Sequence, residues 1–365
     1  MSKEKEQSFD DESVSVQTET EKCPSCGANF KFDPETQGLI CEHCGEKKQI
    51  ENVQNVEELQ LIFGTTTERD WSKDQTVVFR CDNCGAKVVL QKDETAKLCP
   101  FCGTAHVVKT DELAGIKPNG LIPFSFGYDK GVELAKSWAK KRLYAPRKFK
   151  KTLSADNVRG VYAPCFTFDS NTSSVYEGRI GKHHTRVVGS GKNRRTQTYT
   201  VWRNISGRYN QGFDDVLITA GSRLDQPKID KMSPFDTNNG KKYEEDYLLG
   251  FMAYHYDNDV TECWQTAKNK MDAQIRRGIL SQYSHDVVAY LNVSTSHENV
   301  TYKYVMLPVY VGNYTYRKKL YNFYVNGSTG KVTGKTPISP WKVLITILSV
   351  LAVIAGIATI VYLTG

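Results

Sequence analysis

Eight cysteines in two identically spaced quartets, a long series of Tyr-, Val-, Phe- and Thr-rich segments, and a final uncharged apolar run predict a composite fold. The expected parts are two small, metal-stabilised, four-cysteine zinc ribbons, an α+β, mainly antiparallel β body, and one C-terminal transmembrane helix. The composition of the 365 residues, 39% hydrophobic and 24% charged, excludes a polytopic membrane protein and a mostly disordered chain. A net charge of +7 does not by itself establish nucleic-acid binding. Ten cysteines are too few for a disulfide scaffold, so their spacing carries the information.

Residues 1–21 read as a disordered acidic N-terminus. Positions 1–22 hold seven acidic and three basic residues, with no apolar stretch of the kind a secretory signal needs. The first ribbon is expected over 22–49, where Cys23-x2-Cys26-x14-Cys41-x2-Cys44 falls. The second is expected over 77–110, where Cys81-x2-Cys84-x14-Cys99-x2-Cys102 repeats that spacing 58 residues later. A C-x2-C turn holds two thiolates about 3.5–4 Å apart, the edge of a tetrahedron whose Zn–S bonds are near 2.3 Å. Gly27, Gly45, Gly85 and Gly103 each follow a pair, where positive φ lets backbone N–H groups face sulfur. Four thiolates leave no position for water, so two structural Zn²⁺ ions are expected, with iron as the main competitor. Each ribbon is too small to bury a core and would fold on metal binding worth on the order of 10–16 kcal/mol. His43 and His106 lie beside these pairs, but four cysteines already complete each shell. Cys165 and Cys263, in apolar settings, read as buried free thiols.

Residues 50–76 read as a linker, within which Ile50, Val53, Val56 and Leu59 suggest a short helix or spacer. The body is expected over 111–336. Asp129 to Leu143 has the apolar spacing of a helix stopped by Pro146, and Asp259 to Leu280 is a second helical stretch. VYAPCFTFD, SSVYEGRI, TQTYTVWRNI, KYVMLPVYVGNYTY and KLYNFYVNG read as strands, with turns at Gly189-Ser190-Gly191 and Asn326-Gly327. YAPCF around Pro164 and MLPVY around Pro308 are weakly alike.

Between 136 and 151 lie eight basic residues and no acidic one: Lys136, Lys140, Lys141, Arg142, Arg147, Lys148, Lys150 and Lys151. A solvated helix face, attraction to anionic lipid and contact with nucleic acid all fit this run. His183-His184, in the basic arm GKHHTRVVGSGKNRR, reads as a solvated strand face. Gly334-Lys335-Thr336 looks like the end of a phosphate-binding loop, but Thr329 stands where the first glycine is required and Pro337 follows. No catalytic motif is present, so no enzymatic activity is expected.

The transmembrane helix is expected over 341–363. Val343 to Leu363 is 21 uncharged residues, about 31 Å of helix against a hydrocarbon core of about 30 Å. Trp341 and Tyr362 suit the two interfaces. Lys331, Lys335 and Lys342 precede the span, which by the positive-inside rule places the N-terminal part in the cytoplasm of a single-pass cell-membrane protein. Thiols there stay reduced.

The doubled ribbons resemble the TFIIB-type zinc ribbon. The order that follows, GIKPNGLIPFSF, ELAKSWAKKR, APRKFKK and RGVYAPCFTFD, is similar to a bacterial, mainly Firmicutes, group of zinc-ribbon proteins. That group is often labelled primosomal protein N′-like or replication restart helicase-like, although this chain lacks the Walker motifs of a helicase. The membrane-anchored Bacillus YdjG type is similar in layout. The resemblance implies a membrane-bound recruiter whose protein partner belongs among phage-shock-type or flotillin-like stress proteins. It carries over the eight cysteines as ligands and no catalytic residue. The expectation is a non-enzymatic adaptor whose ribbons project from the body. The alternative is a membrane-tethered nucleic-acid binder using the ribbons and the 136–151 patch.

Overall fold

A computed structural model of the chain describes residues 22–51, 56–62, 76–91, 99–102, 104, 107–110, 117–146, 149, 158–235, 237, 240–316 and 319–364. The first ribbon is an antiparallel sheet of β1 (Phe30–Asp33), β2 (Gly38–Cys41) and β3 (Lys47–Gln49) in that order. Strand alternation turns Phe30, Phe32, Leu39 and Cys41 inward and Lys31 outward. The ribbon has too little of its own to cover that inner face, so the body covers it. Phe32 packs edge-on against Tyr247 and Phe251, with centroids 5.1 and 6.3 Å away, and its N–H donates to the Leu249 carbonyl at 3.0 Å.

Among the described residues of the connector there is no helix. Leu59–Gln60 form β4, which pairs antiparallel with Thr301–Tyr302 of the body. A helix of so few residues is marginal in water, whereas a sheet edge supplies hydrogen bonds at once. The second ribbon is β5 (Thr76–Cys81), flanked by β6 (Lys87–Gln91) and β7 (Val107–Thr110). Its β6 pairs with β12 (Met252–Tyr254), so this ribbon continues the body's sheet. The two ribbons are built into the body, one by side chains and one by backbone.

The body contains β8 (Gly120–Leu121), α1 (Tyr128–Lys140), β9 (Val158–Val188), β10 (Arg195–Thr219), α2 (Gln226–Met232), β11 (Lys241–Lys242), β12, α3 (Val260–Ser281), β13 (Val287–Tyr316), β14 (Lys319–Asn326) and β15 (Val332–Gly334). The two helices and all five strand segments read from the sequence overlap these elements. VYAPCFTFD and SSVYEGRI merge into the single strand β9, which turns at Gly189 and Gly191 (φ +95° and +56°) into β10. Asp259 caps α3 through a reciprocal capping box with Glu262. Helix α1 ends at Lys140, short of the expected Leu143, and closes through a hydrogen bond from Arg142 N–H to the Ala139 carbonyl.

The sheet is mainly antiparallel, and two parallel pairings reveal its plan. The inner pair β9 and β13 is antiparallel, with Ala163 facing Leu307. Parallel to β9 at Val161–Tyr162 lies β12, and parallel to β13 at Val305–Met306 lies β8. From Cys165 the outer edge of β9 passes to β10, and from Val309 the outer edge of β13 passes to β14. The units β8–α1–β9–β10 and β12–α3–β13–β14 are thus two copies of one arrangement about a local two-fold at Ala163 and Leu307. Pro164 and Pro308 sit where each outer edge changes partner, so their missing N–H interrupts no ladder. Their carbonyls accept from Ala220 N–H at 3.0 Å and Gly327 N–H at 2.8 Å, again equivalent bonds. The weak likeness of YAPCF and MLPVY is the sequence trace of this duplication.

The core at the centre is aromatic: Phe124 stacks on Phe251 at 4.2 Å and meets Tyr162 and Tyr310. Cys165 and Cys263 are buried, and burial pushes the Cys263 thiol up to about 12. The last element, α4 (Pro340–Thr364), is long and apolar enough to cross a membrane, with mean hydropathy 2.7 and no part of that window covered by protein.

Candidate metal centres

Each C-x2-C pair forms the same tight turn. The first cysteine's N–H donates five residues ahead: Cys23 to Ala28, Cys41 to Glu46, Cys81 to Ala86 and Cys99 to Thr104, at 2.7–2.9 Å. Gly27, Gly45 and Gly85 have φ of +75°, +77° and +70° and donate back to the first cysteine's carbonyl. These are backbone angles that side chains with a Cβ resist; Gly103 lies outside the described residues.

The turns bring the eight sequence-predicted ligands together as two quartets. Cys23 and Cys44 sulfurs lie 3.4 Å apart and Cys26 and Cys41 3.5 Å; Cys81–Cys102 and Cys84–Cys99 are both 3.6 Å. Within each quartet all four sulfurs fall within 4.8 Å of one another. A tetrahedron with metal–sulfur bonds near 2.3 Å has edges of about 3.8 Å. The donor set therefore fits a tetrahedral ion, and each quartet can bind a metal.

Thiolate formation is already favoured at one position in each quartet. Backbone N–H groups of Cys44 and His43 bring Cys41 down to about 6. A hydrogen bond from Cys99, supported by Ala86 N–H, brings Cys84 down to about 5. Cys99 is pushed up because it keeps the proton it shares with Cys84. The quartets differ in cover: Cys26 and Cys44 are exposed, Cys84 and Cys102 half-buried, and the other four cysteines buried. His43 is exposed and stands outside the ligand group, and His106 lies outside the described residues.

A group that sequence reasoning missed is Asp169, Asp214 and Asp215, whose carboxylates converge. A bulge between Phe213 and Val216 puts Asp215 at φ +50°, and its N–H donates to Asp169 at 2.5 Å. The cation there is the protein's own: Lys303 meets Asp215 at 2.8 Å and Glu58 at 3.1 Å. Burial opposes the Lys303 charge, but these carboxylates outweigh it and hold its pKa above the ordinary lysine value. Asp169 and Asp215 lie 46 residues apart in the chain, so no local motif marks this group.

Of the basic run, Lys136, Lys140, Lys141 and Arg142 lie exposed on and just after the last turns of α1. Arg142 sits 4.8 Å over the Trp138 ring. Arg147, Lys148, Lys150 and Lys151 lie outside the described residues. The stretch 178–213 holds eight basic residues and no acidic one, and its outer part, beyond Gly181, is a two-stranded arm in which β9 pairs with β10 alone. Arg179 stacks over Trp202 and Arg186 over Tyr199, at 5.5 and 5.7 Å. Gly334 ends β15 and Lys335–Thr336 run on without a helix, so they form no phosphate loop.

Compared with known proteins, the chain is 31% identical over 326 residues to the "Uncharacterized protein YdjG" of Bacillus subtilis (strain 168), covering 88% of this chain and 91% of that protein. No family model matches. No solved structure matches. The TFIIB-type and primosomal resemblances accordingly have no family model to support them.

Proposed function

The chain belongs to the family of Bacillus subtilis YdjG, and from that premise we propose that it is a zinc-binding, non-enzymatic adaptor anchored in the cell membrane by α4. The observation that carries this reading is the placement of the quartets. Each has buried sulfurs turned to the body, while in the first ribbon Cys26, Cys44 and the residues around them face solvent. A closed, four-thiolate Zn²⁺ would do no chemistry. It would instead fix the shape of an exposed loop surface. Such a surface, of the TFIIB-type ribbon class, recruits a protein partner, with phage-shock-type or flotillin-like proteins as the first candidates from the family's layout. Lys331 and Lys335 before α4 and Lys342 in its first turn support a cytoplasmic position for the body and ribbons.

The test has three readouts on the full chain. Elemental analysis of the purified protein gives two zinc ions per molecule, and the chain stays with membranes in carbonate. Crosslinking in membranes captures one defined protein in fixed ratio, and Cys44→Ser abolishes that capture while the chain stays in the membrane. Fewer than two ions, release by carbonate, or capture indifferent to Cys44→Ser each sinks the reading.

A second reading, nucleic-acid binding, draws support from the acid-free arm and its arginine-capped aromatic rings, which suit phosphates and stacked bases. Under it, the detergent-solubilised chain retards labelled DNA or RNA. The slope of log affinity against log salt then falls by about 3 when Lys182, Arg186 and Arg195 are replaced by Gln.

A further inference from the structure

Helix α4 is tied to the end of α1 by three hydrogen bonds. Ser339 N–H donates to the Tyr144 carbonyl at 2.8 Å. The Lys342 ammonium donates to the carbonyls of Leu143 and Ala145 at 3.0 and 2.7 Å. These carbonyls lie just past a helix end, where acceptors have no helical partner and a cation is favoured. The clamp joins chain segments 197 and 199 residues apart. It sets the last turn of α1 at the level of Trp341 and Lys342, the first turn of the apolar helix.

Around this clamp the surface has two components. Leu143 is 80% exposed, Ile338 66% and Trp341 72%, with Tyr144 at 41% beside them. Large apolar groups crowded together in water signal a partner surface. Lys136, Lys140, Lys141 and Arg142 surround them, and Arg142 is steadied on the Trp138 ring. Apolar side chains flanked by basic ones, at the point where a span enters the bilayer, match the headgroup layer of an anionic membrane. Tyr and Trp are the residues that suit this layer.

We propose that the α1–α4 junction is an interfacial docking surface for anionic phospholipid, in which Leu143, Tyr144, Ile338 and Trp341 enter the headgroup region and Lys136, Lys140, Lys141 and Arg142 face lipid phosphates. It rests on the reading of α4 as a membrane span and adds a second function to it. The span recruits the chain, and the junction fixes the orientation of the body on the bilayer. Lys342 serves as the clamp, its ammonium committed to protein carbonyls, so its loss unhitches the patch without removing the patch's charges.

The experiment places a photo-crosslinking phenylalanine analogue at Tyr144 in the full chain. The chain is reconstituted into nanodiscs of phosphatidylcholine alone or of phosphatidylcholine doped with phosphatidylglycerol. The expected result is several-fold more lipid adduct in the anionic discs, suppressed by high salt. The combination Lys136→Glu, Lys141→Glu reduces it to the neutral-disc level, and so does Lys342→Met, with zinc content unchanged in both. Equal adduct in the two kinds of disc, or adduct indifferent to both variants, overturns the proposal while leaving the span intact. A chain that never enters discs overturns the span and the proposal together. Loss of labelled-DNA retention in the charge-reversed variant, with lipid adduct unaltered, assigns the surface to nucleic acid and overturns it as well.

Discussion

The two ribbons share one ligand spacing and differ in how they are held. The first keeps its own three-stranded sheet and leans on the body through Phe32, Tyr247 and Phe251. The second shares a sheet with the body through β6 and β12, and Phe101, between its last two cysteines, packs on Tyr254 of β12 at 5.1 Å. Side-chain docking is local and separable. A backbone ladder transmits disorder, because each strand satisfies the polar groups of the next. The same cysteine quartet therefore sits in a detachable module in one place and in a keystone of the sheet in the other.

Cysteine replacement gives the largest separation between them. If each quartet holds Zn²⁺ as proposed, either replacement removes apparent folding free energy on the order of 10–16 kcal/mol. Cys41→Ser should unfold the first ribbon and expose the Phe32 contact face, leaving the body's cooperative urea transition in place. Cys99→Ser should release β6 from β12 and lower that transition. Urea titration followed by body tryptophan fluorescence, with elemental analysis of each variant, checks this. Equal shifts in the two variants would show that mode of attachment does not matter.

Phe32→Ala sharpens the comparison at smaller cost. It removes a buried ring at the docking face without touching a ligand, and such truncations cost about 3–5 kcal/mol. The first ribbon should keep its metal content on elemental analysis yet become the preferred site of limited proteolysis, with cleavage falling within 22–51. Retained protection would place the docking energy elsewhere.

The quartets were legible in the sequence because coordination demands fixed spacing, and α3 as a helical stretch from Asp259 to Leu280. The long hairpin was legible from Gly189 and Gly191. The duplication was nearly silent. Most of its equivalent positions carry different side chains, with Gly127 before α1 where Asp259 precedes α3, while Pro164 and Pro308 stay alike because both meet the same backbone demand. The union of the second ribbon with the body was invisible, since β6 reads the same whether its edge is free or paired. The Lys342 clamp joins distant segments through backbone carbonyls, which leave no residue signature at all.

The smallest effect concerns the link between β12 and the second ribbon. Tyr254, which carries Phe101, donates its hydroxyl to Asp257, and the same carboxylate oxygen accepts from Ser222 N–H at 2.8 Å and Ser222 O–H at 2.6 Å. Burial opposes the charge, but these donors outweigh it and hold Asp257 below the ordinary carboxylate value. A carboxyl with a lowered folded-state pKa contributes stability that is complete above its unfolded value of 3.8 and is lost as pH falls through the folded one. Asp257→Asn keeps an acceptor oxygen and removes the charge, so the loss should be about 1–2 kcal/mol, the difference between charge-assisted and neutral hydrogen bonds. The gap between variant and wild type should stay constant from neutral pH down to the ordinary carboxylate range and close below it. Hydrogen exchange should quicken in β5 and β6 and remain unchanged in β1 and β2, since Phe32 docks on Tyr247 and Phe251 and not on Tyr254. Equal quickening in both ribbons would mean that Tyr254 steadies the body as a whole, and the second ribbon's dependence on β12 would then lie in the ladder alone.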